Sequence, residues 1–263
     1  MNENRRGFLK KAGRAALGMG CGFPLLSAGC NAYHHGSEHD ETPSDPNQMT
    51  MIVDVQKCLK KEVRDACVEA CDHAHNFPSS EDPERKIKWI WSDEYKHAFP
   101  DQTHAHVSKE MKDLPVLVLC NHCSSPACVK VCPTGATWKR PQDGIVMMDM
   151  HRCIGCRYCM VACPYGARSF NWWNGRANIE GDPPSQYPVR SKGVVEKCTF
   201  CADKIRVGLR PACVEAAEKV TGAEGALTFG KMSDPEIVKI LKENRTVGRR
   251  LGMGTGPNVF YIV

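Results

Sequence analysis

The chain alternates short apolar stretches with polar punctuation rich in glycine and proline. The stretches Met51–Val55, Val116–Leu119 and Ile145–Met148 have the length and composition of strands, and each runs into a group of cysteines. Short helices are expected to follow over 126–131 and 157–162. Asp234–Lys242 reads as a helix, with Ser233 or Asp234 as its cap and Pro235 suited to its first turn. Asn258–Val263 is apolar and strand-like. One segment repeats: Cys132-Pro133-Thr134-Gly135-Ala136 returns as Cys163-Pro164-Tyr165-Gly166-Ala167. Short strands alternating with short helices predict an α+β, ferredoxin-like body.

Composition narrows this picture by exclusion. With 263 residues, 42% hydrophobic and 25% charged, the chain is neither wholly disordered nor a multi-span membrane protein. Of the net charge of +5, most sits in the first fourteen residues, where Arg5, Arg6, Lys10, Lys11 and Arg14 face one acid, Glu3. No basic surface is left to argue for nucleic acid as a partner. Residues 1–30 read as an export segment: a charged start, then an apolar stretch too short and too broken by Pro24 to span a bilayer comfortably. Arg5-Arg6-Gly7-Phe8-Leu9-Lys10 resembles the twin-arginine signal, which carries folded, cofactor-loaded passengers; the plainer reading is a basic arm. Cys30, after Leu26-Ser27-Ala28-Gly29, is a candidate lipidation site, although Ser27 stands where an aliphatic residue is usual. Residues 31–50 read as a flexible leader.

The informative excess is cysteine, 16 in all. Two lie in the first thirty residues and fourteen fall into four groups: Cys58, Cys67 and Cys71; Cys120, Cys123, Cys128 and Cys132; Cys153, Cys156, Cys159 and Cys163; Cys198, Cys201 and Cys213. Disulfides suit an exported chain, but C-x2-C pairs are poorly placed to staple distant segments. Structural zinc takes such pairs but does not call for a third cysteine and then Cys-Pro. The third group is the bacterial ferredoxin run C-x2-C-x2-C-x3-C-P, in which the fourth cysteine serves the other cluster of a pair. Applied here, cluster A takes Cys120, Cys123, Cys128 and Cys163, and cluster B takes Cys153, Cys156, Cys159 and Cys132. No C-x2-C is followed by His, so covalent c-type haem is not expected, and no flavin or nicotinamide motif is present. Gly252-x-Gly254-x-Gly256 lacks the strand and helix of a nucleotide loop and reads as a flexible turn. The 72–119 insertion holds Ile87–Trp91 and five histidines, His73, His75, His97, His104 and His106. It reads as packing over a cluster, with a partner-docking surface as the alternative. Its histidines read as solvated or hydrogen-bonded, and Trp172-Trp173 as shielding for the clusters.

These four groups, with the signal and the stretch KCTFCADKIRVGLRPACVEA, resemble the multi-cluster iron–sulfur subunits of membrane-linked oxidoreductases. That family includes NrfC-type proteins and the beta subunits of dimethyl sulfoxide, polysulfide and tetrathionate reductases. CNHCSSPACVKVCPTGATWKRPQDGIVMMD, RCIGCRYCMVACPYGAR and GPNVFYIV look most like the DsrO type, with the QrcC type as competitor. The resemblance implies tandem ferredoxin-like modules, pseudo-two-fold, one nested within the other, with long loop insertions. On that plan 51–112 is the first part of an outer module, 113–175 the inner two-cluster module, 176–232 the second outer part, and 233–263 a C-terminal helix and tail. It also implies cluster C on Cys71, Cys198, Cys201 and Cys213. The family's second cysteine of the first group is absent here, and Ala217 replaces the last cysteine of the fourth group. Both losses fall on one cluster, so three [4Fe–4S] clusters are expected, with Cys58 and Cys67 left as thiols or a disulfide. The implied role is a periplasmic electron-transfer subunit with no catalytic site of its own. Its implied partners are an NrfD/DsrP-type integral membrane subunit and a multihaem cytochrome c, in sulfur metabolism. A substrate-binding iron–sulfur enzyme is the alternative from another class.

Overall fold

The computed structural model describes residues 45–78, 82, 86–175 and 187–263; the expected export signal and most of the expected leader lie outside them. Among the described residues the largest sheet has four strands in the order β8-β1-β10-β9, built from β1 (Met49–Asp54), β8 (Leu227–Lys231), β9 (Thr246–Gly248) and β10 (Val259–Ile262). β1 runs parallel to β10, with Met51 opposite Val259, and antiparallel to β8, with Met51 opposite Phe229. Being central, β1 is buried on both faces, which suits its unbroken apolar run. It starts at Met49, so the last two residues of the expected leader belong to the sheet.

After β1 the chain makes a turn through Lys57–Leu59 and enters α1 (Lys61–Ala74), the longest helix among the described residues. Val63, Cys67 and Cys71 recur every four residues and form its buried face. That face packs on α5 (Ala212–Glu218), whose buried residues include Cys213 and Ala217. α6 (Pro235–Glu243) lies against β8. The insertion is more ordered than expected from sequence: β2 (Ile90–Glu94) pairs antiparallel with β3 (Pro115–Leu119), Ile90 opposite Leu119, and Trp89 is buried.

Between β3 and residue 196 lie small elements: α2 (Ala127–Lys130), the pair β4 (Thr137–Lys139) and β5 (Val146–Met148), α3 (Tyr158–Val161), and the pair β6 (Ser169–Phe170) and β7 (Val195–Glu196). The sequence repeat is a structural one. α2 and α3 each have four residues, each is followed by Cys-Pro, and each exit turns on a left-handed glycine, Gly135 at φ +62° and Gly166 at φ +63°. α4 (Ala202–Arg206) follows the fourth cysteine group. The result is a mixed α/β body of small sheets and short helices. Among the described residues no helix is long and apolar enough to cross a membrane.

Candidate metal centres

The repeat of α2 and α3 brings distant cysteines together. Cys120, Cys123, Cys128 and Cys163 line one small cavity, with Tyr165, Arg168 and Thr255 in its wall. Cys132, Cys153, Cys156 and Cys159 line a second. In each void three thiols come from one cysteine run and the fourth from the other. Cys71, Cys198, Cys201 and Cys213 form a third set, all buried, each thiol of the last three opposing ionisation of Cys71. Among the described residues, no three His, Cys, Asp or Glu side chains converge as a single-ion site would require. The thiols surround volumes instead, a donor set suited to a multi-atom group.

The electrostatics order the sets in a row. Cys198 of the third set feels Cys120 of the first, and Cys159 of the second feels Cys128 of the first. The first set is therefore central. Two C-x-x-C loops meet where the first and third sets adjoin. His122 and Phe200 hold the same place in Cys120-Asn121-His122-Cys123 and Cys198-Thr199-Phe200-Cys201. Both have left-handed backbone (φ 41° and 54°), and their rings stack at 3.7 Å and 20°. His122 Nδ1 accepts the Val146 N–H at 3.1 Å, and burial holds its pKa well below the usual value.

Burial pushes the thiols of Cys123 and Cys198 up to about 12 and that of Cys201 to about 11. Such thiols resist ionisation until a cation takes the proton's place, the usual coupling of metal binding to proton release. Backbone N–H groups already point at several sulfurs: Val195 to Cys153, Phe200 to Cys198 and Ala212 to Cys201, each at 3.4 Å. At Cys132 burial raises the pKa, but the N–H groups of Thr137, Thr134 and Ala136 and the Thr134 hydroxyl outweigh it and the net shift is downward.

Cys58 and Cys67 are placed differently. Both have no accessible surface, and burial raises both to about 12. Cys67 Sγ contacts the Cys213 carbonyl at 3.4 Å and Cys58 Sγ the Ala226 carbonyl at 3.8 Å. The turn that carries Cys58 is strapped to the loop before β8: Lys57 Nζ donates to Glu224 O at 2.8 Å and Lys60 Nζ to Gly222 O at 3.0 Å. Ala217, Ala223 and Ala226 fill the neighbourhood without exposed surface.

Several residues at these sites were not picked out from sequence. The glycine segment read as a flexible turn is a clasp on the first set: Ser124 N–H donates to Gly256 O at 2.7 Å and Ser125 N–H to Thr255 O at 2.9 Å. The Thr255 hydroxyl meets Tyr165 Oη at 2.6 Å, and Asn258 Nδ2 donates to His122 O at 2.8 Å. His75, read as solvated or hydrogen-bonded, is fully buried with neither ring nitrogen bonded; it stacks on Tyr187 at 4.8 Å and meets Trp89 edge-on at 4.4 Å. Trp172 and Trp173 are partly exposed, and Trp172 packs on Phe170 beneath the Arg157 guanidinium.

A model of the 4Fe-4S dicluster domain matches residues 114–180. Among known proteins, the Hdr-like menaquinol oxidoreductase iron-sulfur subunit 1 of Archaeoglobus fulgidus is 40% identical over 98% of this chain and 97% of its own. The iron-sulfur cluster-binding subunit of menaquinone reductase from Nitratidesulfovibrio vulgaris is 36% identical over 81% of this chain and 87% of its own. The NrfC homolog of Haemophilus influenzae is 29% identical over 98% of this chain and 94% of its own.

Proposed function

The chain belongs to the multi-cluster iron–sulfur subunits of membrane-linked oxidoreductase complexes, and on that premise we propose that it relays single electrons through three [4Fe–4S] clusters. The observation that carries the proposal is the row of three four-thiol sets. Cys120, Cys123, Cys128 and Cys163 would hold the central cluster A. Cys132, Cys153, Cys156 and Cys159 would hold B on one side, and Cys71, Cys198, Cys201 and Cys213 would hold C on the other. Held by four thiolates, such a cluster supplies one-electron chemistry and leaves no coordination position for a substrate, so the chain works as a subunit without a catalytic site of its own. The protein's part is to bury the sulfurs, aim N–H groups at them and keep the sets adjacent; burial and hydrogen bonds to sulfur are the levers that set cluster potentials.

A fourth cluster would need more than Cys58 and Cys67. Lys61, three residues after Cys58, is exposed and paired with Asp65, and Ala217 is buried against the same neighbourhood. The nested plan is part of the same proposal: β1, α1, α4, α5, β8 and β10 would form the outer module around an inner one carrying the two repeats. The pairing of β1 with β8 and β10 supports it.

The relatives' names point to menaquinol or menaquinone as the electron pool. We place the protein on the periplasmic side, delivered by the twin-arginine signal, with an NrfD/DsrP-type membrane subunit as quinone-side partner and a multihaem cytochrome c as the other, in sulfur metabolism. The test is anaerobic purification from a host with intact cluster assembly. The expected product is brown, bleaches with dithionite and carries about 12 iron atoms, four per cluster of the type described. A colourless zinc protein would overturn the function, and about 16 irons by the same count would overturn the cluster number. Replacing Arg5 and Arg6 by Lys should strand the loaded protein in the cytoplasm; unchanged export would overturn the route.

A further inference from the structure

Among the described residues, four cationic side chains are almost wholly buried: Arg168, Arg190, Lys197 and Arg249. A buried charge is ordinarily paired, because desolvation of a lone ion costs several kcal/mol. Arg190 obeys the rule, with Glu196 at 2.8 Å. Arg249, also without a carboxylate partner among the described residues, donates to Ala98 O at 3.0 Å and lies over the ring of Tyr165, a residue in the wall of the first cavity.

Arg168 and Lys197 break the rule in the same way. Among the described residues, neither has a carboxylate partner. Arg168 donates to Thr137 Oγ1 at 3.0 Å and contacts Met148 Sδ at 3.7 Å, while its Nε has no partner. Lys197 Nζ donates only to carbonyls, those of Val146 and, at 2.6 Å, Cys198. Their positions match too. Arg168 lines the cavity of the first set and reaches Cys128 of that set and Cys159 of the second. Lys197 favours the ionised form of Cys198 in the third set, the thiol that feels Cys120 of the first, and it bonds Val146 in the wall of the first cavity. The row of three sets has two junctions, and each holds one buried cation.

We propose that Arg168 and Lys197 are junction charges: the anionic groups held by the flanking thiolate sets are their missing counter-ions, and each cation stabilises the reduced form of both its neighbours. A cluster held by four thiolates is anionic and gains one more negative charge on reduction, so adjacent reduced clusters repel. A fixed cation between them, in a medium of low dielectric, offsets that repulsion and raises both potentials. Arg168 therefore acts on A and B, and Lys197 on A and C. This inference rests on the three-cluster reading, which the iron count of the wild-type protein tests separately.

The experiment is a potentiometric titration of the loaded full chain, followed by electron paramagnetic resonance that resolves the three clusters. In Arg168→Gln, the potentials of A and B fall by at least a tenfold loss of preference for the reduced form, equivalent to about 59 mV for a one-electron couple, while C stays put. In Arg168→Lys the charge remains and the shift is mostly reversed. Lys197→Gln lowers A and C and spares B, and Lys197→Arg restores them. If a Gln variant fails to take up iron while its charge-keeping partner loads, the charge is required and the proposal stands. Failure of both members of a pair, loaded Gln variants with unmoved potentials, or equal shifts at all three clusters would overturn it. A wild type with the wrong iron count would instead overturn the reading beneath it.

Discussion

At one end of the thiol row Cys156 stands exposed, with Ile154, Tyr158 and Val161 exposed around it. At the other, beyond the third set, Cys58 and Cys67 have no accessible surface and are hemmed in by alanines and lysine straps. Under the three-cluster proposal, the contrast bears on which position in a relay can be lost. An interior gap would lengthen a hop and break conduction. Removal of a terminal site shortens the row and leaves the others adjacent. The cysteines lacking a full set lie at the end, where Cys67 touches the backbone of Cys213. On the three-cluster proposal, what the sealed end would give up as a redox site it gains as ordinary core.

Four experiments put this contrast at risk. The largest effect is expected from Cys163→Ala, which should remove about four of about twelve irons and erase the cluster of Cys120, Cys123 and Cys128. Mössbauer spectra that instead show loss of the cluster of Cys153, Cys156 and Cys159 would refute the crossed sets. Next, limited ferricyanide treatment should destroy the cluster beside Cys156 several-fold faster than that of Cys71, Cys198, Cys201 and Cys213, because exposure governs attack. Loss of the buried cluster first, followed by resonance spectra over time, would overturn the assignment of open and sealed ends. Cys67→Ala should leave the iron content unchanged and cost about 1–2 kcal/mol in denaturant titration, as a small truncation in packed core does; loss of a full cluster's iron would show that Cys67 is a ligand.

The smallest effect concerns acid. His75, in the buried half beside Tyr187, is pushed down to about 3 by burial, then by Arg190 and Lys204; the Arg190–Glu196 pair completes its surroundings. The unfolded chain takes up this proton near pH 6.5, whereas the folded chain resists until about pH 3. The histidine's contribution therefore lowers stability as pH falls through that window, by at most about 1.4 kcal/mol per pH unit. In His75→Leu that part of the slope should vanish between pH 6.5 and 5; an unchanged slope in paired melts would show that His75 is protonated while folded.

Much of this organisation was legible in the chain because it is local. Strands at 49–54, 115–119 and 146–148, and the helices after the cysteine loops, fall within two residues of the expected bounds. A C-x2-C-x2-C-x3-C-P run carries its loop and helix with it. The family resemblance supplied the third set, which spans 142 residues from Cys71 to Cys213 and has no local signal of its own. What stayed hidden depends on burial. Lys197 looks like any lysine beside a cysteine, and only the packing of Val146 and Cys198 around it shows that it is dry. His75 was hidden for the same reason. The glycines at 252–256 looked loose because their partners, Ser124 and Ser125, lie about 130 residues upstream, a separation that no local reading spans.

The pairing of β1 sets an order of events during synthesis. Both its sheet neighbours, β8 and β10, lie downstream of Cys213, so every cysteine has been made before either edge of β1 can be covered. Until then β1 presents two unsatisfied edges, a hazard for mispairing that high-contact-order folds carry and chaperones relieve. The clasp of Gly256 and Asn258 on the loop of Cys123 closes later still. The fourteen grouped cysteines are thus all on hand, and the central cavity still unlatched, when the segment around Gly256 arrives to close it.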